Sequence, residues 1–279
     1  MSQNNYKIEI WKNTKEKYED YWNDESVESV SNNICKNEYS KLEQHIEEQG
    51  FILDFENGIE ILTKLGKKIH GIVGAEFASG TMWLTSYIMR KFQNQIDQFY
   101  SVDYSERYVF NLGKKLLEYY KVERNKLTLC LGSFYEIKLP NESLDFIVMC
   151  QAFHHADNPD KLLQEVYRVL KKDGVLMMVG ELFISKPLYL KCYLNYITSL
   201  MVSNYFPSLL IKSFKIFQRL SSKNLKGEFQ ELYFPPDPKL GDHYYLKSQY
   251  EKFFSRNKFD FLKIKSKKSN HLAYMIFKR

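Results

Sequence analysis

The sequence has few cysteines and lacks the two common glycine-rich phosphate-binding motifs. Its 4 cysteines in 279 residues are far apart and form no C-x-x-C pair, which argues against a zinc site and a disulfide framework and fits a reducing compartment. No G-x-G-x-x-G or G-x-x-x-x-G-K-[ST] motif occurs, so a nicotinamide-dependent dehydrogenase and a P-loop triphosphatase both lose support. No charged-then-apolar leader follows Met1, and the expected location is therefore cytoplasmic.

The net charge of +6 is distributed unevenly along the chain. Residues 1–60 hold 6 Lys/Arg against 14 Asp/Glu, whereas residues 246–279 hold 10 against 2. We interpret the lysine-rich end as a solvated face, with attraction to the acidic end or to an anionic partner as the alternatives. No nucleic-acid-binding motif accompanies it, so no nucleic-acid partner is expected.

Short apolar segments alternate with amphipathic ones from about residue 61 onward. This pattern predicts an α/β fold with a doubly wound, mostly parallel, seven-stranded sheet, because parallel strands need crossover helices. Two final apolar segments predict an antiparallel C-terminal hairpin. The predicted strands are Ile69–Phe77, Gln98–Val102, Leu127–Leu131, Leu144–Cys150, Val175–Val179, Phe259–Ile264 and Leu272–Phe277.

Four parts of the chain follow from these patterns. They are a helical N-terminal segment (1–60), a ligand-binding core (61–181), an insertion (182–245) and a C-terminal helix with hairpin (246–279). The insertion contains Cys192–Ile211, which is 20 residues without a charge. We interpret it as a helical lid over the site, with peripheral contact to a membrane surface as the alternative.

The ends of the first two predicted strands carry the residues expected to bind a ligand. In an open α/β sheet, ligands bind beyond the carboxyl ends of the strands. The first strand ends at Glu76-Phe77 and continues into Ala78-Ser79-Gly80, whose small side chains allow a ligand to approach the backbone. The second strand ends at Asp103, where a carboxylate can accept hydrogen bonds from a ribose diol.

Several ordered motifs between residues 60 and 181 carry a family resemblance. An acidic-x-Gly-x-Gly-x-Gly loop is matched by Glu76, Ala78, Gly80 and Met82, and later motifs by Leu139–Phe146 and by Ala152–His155 with the Lys172-Asp173-Gly174 turn. This part of the chain resembles class I S-adenosylmethionine-dependent methyltransferases, in the group that includes the ubiquinone/menaquinone methyltransferases. Ala78 and Met82 stand where the family has glycines, and Ser133 stands where an aspartate often contacts the adenine.

The resemblance implies S-adenosyl-L-methionine as the cofactor and a Rossmann-like methyltransferase fold. It implies no metal ligands. The cofactor-binding residues that it implies are Glu76, Ala78, Ser79, Gly80, Asp103, Tyr104, Ser133, Phe134, Cys150 and Gln151.

Methyl transfer depends chiefly on aligning the acceptor with the reactive methyl group, and an oxygen acceptor also needs a base. The candidate catalytic groups are His243, ranked first, with His154, His155 and Glu181. The alternatives are that the two adjacent histidines pack beside the fourth strand, that Glu181 orients a loop, and that Asp242, next to His243, caps a helix.

The expected function is therefore transfer of a methyl group to a small-molecule acceptor, through O-methylation of a sugar, a phenol or a lipid-linked intermediate. The alternative is a catalytically inactive protein that keeps the methyltransferase fold for binding or regulation. The sequence predicts no oligomeric state.

Overall fold

A computed structural model describes residues 5–12, 19–24, 29–67, 70–191, 193–194, 241–243, 245–266 and 271–279. Most of the predicted lid, including residues 195–240, and the hairpin turn at 267–270 lie outside the described residues. The described strands are β1 (Lys7–Ile10), β2 (Ile72–Phe77), β3 (Ile96–Asp103), β4 (Leu127–Leu131), β5 (Leu144–Cys150), β6 (Leu170–Glu181), β7 (Phe259–Ile264) and β8 (Leu272–Lys278).

Four helices lie between β1 and β2 among the described residues, and further helices connect later strands. They are α1 (Glu19–Asn23), α2 (Ser29–Cys35), α3 (Tyr39–Gln49), α4 (Phe51–Lys64), α5 (Trp83–Lys91), α6 (Gly113–Tyr119), α7 (Pro159–Val169) and α8 (Lys247–Arg256). A π-helical turn, Tyr108–Leu112, leads into α6, and a 3₁₀ turn, Phe153–His155, follows β5. Among the described residues, no helix combines the length and the apolar character needed to cross a membrane.

The sheet has the strand order β1-β4-β3-β2-β5-β6-β8-β7. β8 is antiparallel to both of its neighbours, and the remaining pairs are parallel. From β2, the chain builds outward through β3 and β4 and then returns to place β5 on the other side of β2. This reversal opens a crevice at the carboxyl ends of β2 and β5, where ligands bind in doubly wound folds.

The predicted α/β fold with its C-terminal antiparallel hairpin is confirmed, and three strands have the predicted bounds: β4, β5 and β7. Among the described residues the sheet has eight strands and not seven, because Lys7–Ile10 pairs in parallel with β4. The N-terminal 60 residues are therefore not wholly helical. The predicted turn at Asp173-Gly174 lies in a bulge of β6, where residues 171–174 are out of register with β5.

Apolar side chains cover both faces of the sheet. On one face, α7 and α8 contribute Leu163, Val166 and Phe254 to a core with the buried side chains of the central strands. On the other face, α4 and α5 contribute Phe55 and Ile88 to a second core. Burial on both faces explains the nearly continuous apolar sequences of β4 and β5.

Candidate functional site

The loop after β2 has a left-handed backbone at alternate positions. The φ angles are +53° at Ala78, +49° at Gly80 and +60° at Met82. These positions match the family's three glycines, and a non-glycine residue there costs about 1 kcal/mol or more. The positive φ angles that glycine favours are thus kept at all three positions, although two of the three residues are not glycine.

Asp103, at the end of β3, holds this loop in place. One carboxylate oxygen accepts a hydrogen bond from the backbone N–H of Gly80 at 2.7 Å, and the other accepts one from Ser105 N–H at 2.9 Å. The carboxylate is buried, with 6% of the residue exposed. These two hydrogen bonds therefore fix the Asp103 side chain beside the loop, at the crevice.

Glu76 places a second carboxyl group at the base of the crevice. It is 2% exposed and accepts a hydrogen bond from the Thr85 hydroxyl. Burial raises the pKa of Glu76 to about 8, and the nearby Asp103 charge adds to this shift. In the free protein, the group is consequently protonated at neutral pH.

Met82 does not face the crevice. Its side chain is fully buried and fills the space beside Gly113, where an added Cβ would lie 2.5 Å from the methionine sulfur. The methionine therefore serves the core, and a ligand does not meet it.

A single cavity joins the ends of β2, β3 and β5. It is open to solvent on one side. Nine of the ten predicted cofactor-binding residues line it: Glu76, Ala78, Ser79, Gly80, Asp103, Tyr104, Phe134, Cys150 and Gln151. Ser133 is outside the lining, and its hydroxyl instead accepts a hydrogen bond from Tyr135 N–H at 3.3 Å.

The residues present fit a cationic, hydroxyl-bearing cofactor. The Ser79 hydroxyl is buried and has no hydrogen-bond partner among the described residues. Beside Gly80, the position of an added Cβ meets no atom within 4 Å, so the backbone is open to the cavity. The carboxyl group of Glu76 complements positive charge once its proton is displaced, and Asp103 stands where ribose hydroxyls are held in this fold.

The N-terminal helices supply a wall of the cavity that the sequence did not predict. Its lining residues there are Trp22, His45, Ile46 and Phe51. The strand–helix pattern gives no signal for them, because they come from α1, α3 and α4, which precede β2 in the chain. Helix α1 is fixed near Asp103, since the Ser105 hydroxyl bonds Asn23 at 2.8 Å and the Arg107 guanidinium bonds Asp24 O at 2.9 Å.

Glu181 and His154 form a buried pair behind the cavity. His154 Nδ1 lies 2.9 Å from a Glu181 oxygen, and Glu181 also accepts the backbone N–H groups of Ala152, Phe153 and His154 at 3.0–3.2 Å. Burial alone would lower the pKa of His154, but the carboxylate outweighs it and the pKa is raised. Burial likewise opposes ionisation of Glu181, yet the His154 bond and the amides hold its pKa below the usual value.

His155 is the one predicted catalytic group that lines the cavity. Its Nδ1 is 3.0 Å from an oxygen of Asp242, and the edge of the Trp22 ring packs against it with centroids 5.4 Å apart. Burial, together with the adjacent His154, lowers the pKa of His155. Asp242 is thus a partner of His155 and not a helix cap, because α8 begins only at Lys247.

His243, the group ranked first, lies beside this cluster but not in the cavity lining. Its Nε2 is 2.9 Å from Asp157, and its backbone N–H donates to His154 O at 2.9 Å. Tyr245 adds a hydroxyl bond to Ala156 O at 3.2 Å. The chain that returns from the insertion is therefore fastened to the loop that carries the two adjacent histidines.

Comparison with known protein families gives one match. Residues 75–178 match the model of a methyltransferase domain family, and they contain the loop after β2, Asp103 and the adjacent histidines. Among curated proteins, none matches the chain.

Solved structures share the fold at low sequence identity. The YcgJ protein from Bacillus subtilis is 16% identical, with a TM-score of 0.50 over 76% of this chain and 71% of its own. A Listeria monocytogenes protein described as an S-adenosylmethionine-dependent methyltransferase is 13% identical, with a TM-score of 0.51 over 80% and 97%. A chain from the complex between the Haloferax volcanii Trm112 methyltransferase activator and a protein described as a methyltransferase is 11% identical, with a TM-score of 0.53 over 90% and 98%.

Residues 75–178 are thus similar to a methyltransferase domain, and the sheet has the strand order and C-terminal antiparallel hairpin of a Rossmann-like methyltransferase fold. S-adenosylmethionine is the cofactor that this domain match supports.

Proposed function

We propose that this protein transfers a methyl group from S-adenosylmethionine to an oxygen atom of a small molecule. The acceptor classes are a sugar, a phenol or a lipid-linked intermediate, and the nearest functional group is the ubiquinone/menaquinone-like methyltransferases. One observation carries the proposal: the cavity that holds nine predicted cofactor residues is also lined by His155. Cofactor and acceptor chemistry therefore share one space.

Residues 61–181 form the cofactor-binding core in this proposal. Glu76 and Asp103 offer carboxyl groups, the Ser79 hydroxyl offers an unused hydrogen-bonding group, and the loop backbone lies open at Gly80. When bound, S-adenosylmethionine supplies an electrophilic methyl group on a sulfonium. The protein's task is to align an acceptor with it and to exclude water.

The acceptor would lie between the N-terminal wall and the histidine cluster. Trp22 and Phe51 give this side an apolar, aromatic character, which suits an acceptor with a ring or an apolar portion. His155 is placed to hold the acceptor oxygen, while Glu181 and His154 position the loop behind it. His243, with Asp157, remains a second candidate base just outside the lining. Residues 182–245 would close over the acceptor as a lid.

The test separates binding from turnover. Calorimetry with S-adenosylmethionine and with its demethylated product measures cofactor binding, and transfer of a labelled methyl group to sugar, phenol and lipid-linked acceptors measures activity. We expect His155→Ala to abolish transfer and to leave cofactor affinity within about threefold, because His155 acts on the acceptor. His70→Ala, at an exposed histidine, is the matched control.

Two outcomes would contradict the proposal. A protein that binds neither cofactor form has no methyltransferase site in this cavity. A protein that binds the cofactor but methylates no member of the panel supports the inactive binding or regulatory alternative.

A further inference from the structure

Three potential metal ligands converge at the rim of the cavity. Ligand atoms of His154, His155 and Asp242 all lie within 4.8 Å of one another. The two histidines come from the 3₁₀ turn after β5, and Asp242 comes from the far side of the insertion. A fold that needed only to bury this loop would not require two imidazoles and a carboxylate to meet at one point.

Two of these atoms form a close contact. His155 Nδ1 and Asp242 Oδ1 are 3.0 Å apart, and neither atom has any other partner among the described residues. Both atoms therefore remain available to bind one cation between them.

His154 has the outer contact typical of a metal-binding histidine. Glu181 accepts three backbone N–H groups and stands 2.9 Å from His154 Nδ1. As an acceptor, the carboxylate fixes the ring proton on Nδ1 and leaves the Nε2 lone pair for a ligand. Metal-ligating histidines commonly donate their other ring N–H to a carboxylate in this way.

The chain just after Asp242 is held in position by two backbone hydrogen bonds. The backbone N–H of His243 donates to His154 O at 2.9 Å, and Ile184 N–H donates to Tyr245 O at 3.0 Å. The carboxylate is thus presented to the histidines by a fixed backbone, as a preorganised site requires.

We infer that His154, His155 and Asp242 form a binding site for a divalent transition-metal cation such as Zn²⁺. Two nitrogens and one carboxylate oxygen suit zinc or iron better than Mg²⁺ or Ca²⁺, which prefer oxygen ligands. Ligand atoms of a tetrahedral site with metal–ligand bonds of about 2.0–2.2 Å lie about 3.4 Å apart. The His155–Asp242 pair, now at 3.0 Å, would therefore open slightly, and any pair near the 4.8 Å limit would close. Three protein ligands leave an open position, and His155 places that position at the cavity.

The cation site stands on this geometry, but its role in catalysis rests on the proposed function. A hydroxyl oxygen at the open position would be held and acidified by the cation, so His155 would act as a ligand and not as a free base.

The experiment uses the untagged full chain after removal of metals by a chelator. Calorimetry with Zn²⁺ alone and with Mg²⁺ alone, without cofactor, is expected to give one Zn²⁺ per chain and no Mg²⁺ at the same site. His155→Ala and Asp242→Ala should weaken Zn²⁺ binding by 100-fold or more. Glu181→Gln should weaken it by about 10- to 100-fold, the usual effect of losing a histidine's outer partner.

His243→Ala is the matched control, because this neighbouring histidine pairs with Asp157 and is not one of the three ligands. It should leave Zn²⁺ affinity within about threefold. Anomalous X-ray scattering at the zinc edge of the unmutated protein locates the ion independently, so a variant that fails to fold does not remove the test.

Any of three results would overturn the inference. Zn²⁺ does not bind, Zn²⁺ binds His155→Ala and Asp242→Ala as tightly as the unmutated protein, or the anomalous signal places the ion elsewhere in the structure. If methyl transfer is unchanged without bound zinc, the proposed function is supported and the catalytic role of the cation is contradicted. Zinc binding at the cluster without methyl transfer to any acceptor would uphold the site and contradict the proposed function.

Discussion

The protonation of Glu76 should make cofactor affinity depend on pH. The side chain is 2% exposed at the base of the cavity, and burial raises its pKa to about 8. A cationic ligand favours the carboxylate, so its binding must displace the proton whenever the free protein carries one. Affinity should therefore rise with pH up to about 8.

The size of the effect follows from the pKa. For a free-state pKa of about 8 and a bound-state pKa well below 6, the apparent Kd exceeds its high-pH limit about 100-fold at pH 6, about 11-fold at pH 7 and about 2-fold at pH 8. At pH 7, binding should release about 0.9 proton per cofactor.

Calorimetry of S-adenosylmethionine binding between pH 6 and 8, in buffers of different ionisation enthalpy, measures both the Kd and the proton release. Glu76→Gln is the matched control, since it keeps the side chain's shape and removes its titration. The ligand's own amino group, which titrates near pH 8, contributes equally to both proteins. The difference between their two pH profiles therefore isolates Glu76.

A parallel pH profile for the two proteins would refute this reasoning. The free energy of unfolding as a function of pH separately checks the direction of the Glu76 pKa shift. Because the pKa of Glu76 is higher in the folded state than in the unfolded state, the protonated side chain stabilises the folded protein. This stabilisation is fully present below the unfolded value near 4.5 and is lost as pH rises toward 8. The loss approaches about 1.4 kcal/mol per pH unit in that window, and Glu76→Gln should abolish it in chemical denaturation.

Three further substitutions test other parts of the site. Asp103→Ala leaves the N–H groups of Gly80 and Ser105 without their carboxylate partner and should weaken cofactor binding by about 1–3 kcal/mol in calorimetry; unchanged affinity would place the cofactor elsewhere. Met82→Gly relieves a left-handed φ, which is worth about 1 kcal/mol. It also empties a fully buried position, which costs about 2–5 kcal/mol. Chemical denaturation should therefore show a net loss of unfolding free energy, and a gain would mean that the backbone strain dominates. Glu181→Ala removes the partner of a buried histidine and three amides and should cost about 3–5 kcal/mol of unfolding free energy; a loss below 1 kcal/mol would show that the pair contributes little.

The central strands could be predicted from the sequence because their physical signal is local. Leu127–Leu131 and Leu144–Cys150 are buried on both faces, and their continuous apolar sequences mark them without tertiary information. The predicted cofactor residues Glu76, Ala78, Ser79, Gly80 and Asp103 lie at the ends of neighbouring strands of the same sheet. Their positions are fixed by strand ends, so a correct strand assignment brings them to one edge of the sheet.

Other parts of the site depend on long-range contacts that leave no periodic pattern. The four-residue edge strand Lys7–Ile10 alternates charged and apolar residues within an acidic, helix-like segment, and only its pairing with β4 defines it. Trp22 and Phe51 reach the cavity through helix packing. Asp242 meets His155 across 87 positions of chain, so its neighbour His243 was the more visible candidate.

The loop that carries the adjacent histidines joins the two halves of the site physically. Gln151, which lines the cavity, has a φ of +51° and bonds Val179 O at 3.0 Å. Across from it, Gly180 has a φ of +72°, and an added Cβ there would lie 2.8 Å from Phe51 and 2.9 Å from Gln151. The very next residue of β6 is Glu181, which binds the amides of the loop and His154. The end of β6 thus sets the N-terminal wall, the cofactor-side loop and the histidine cluster through consecutive residues. A displacement of this strand end would move the cofactor side and the acceptor side together, and that is the rigid relation that methyl transfer by alignment requires.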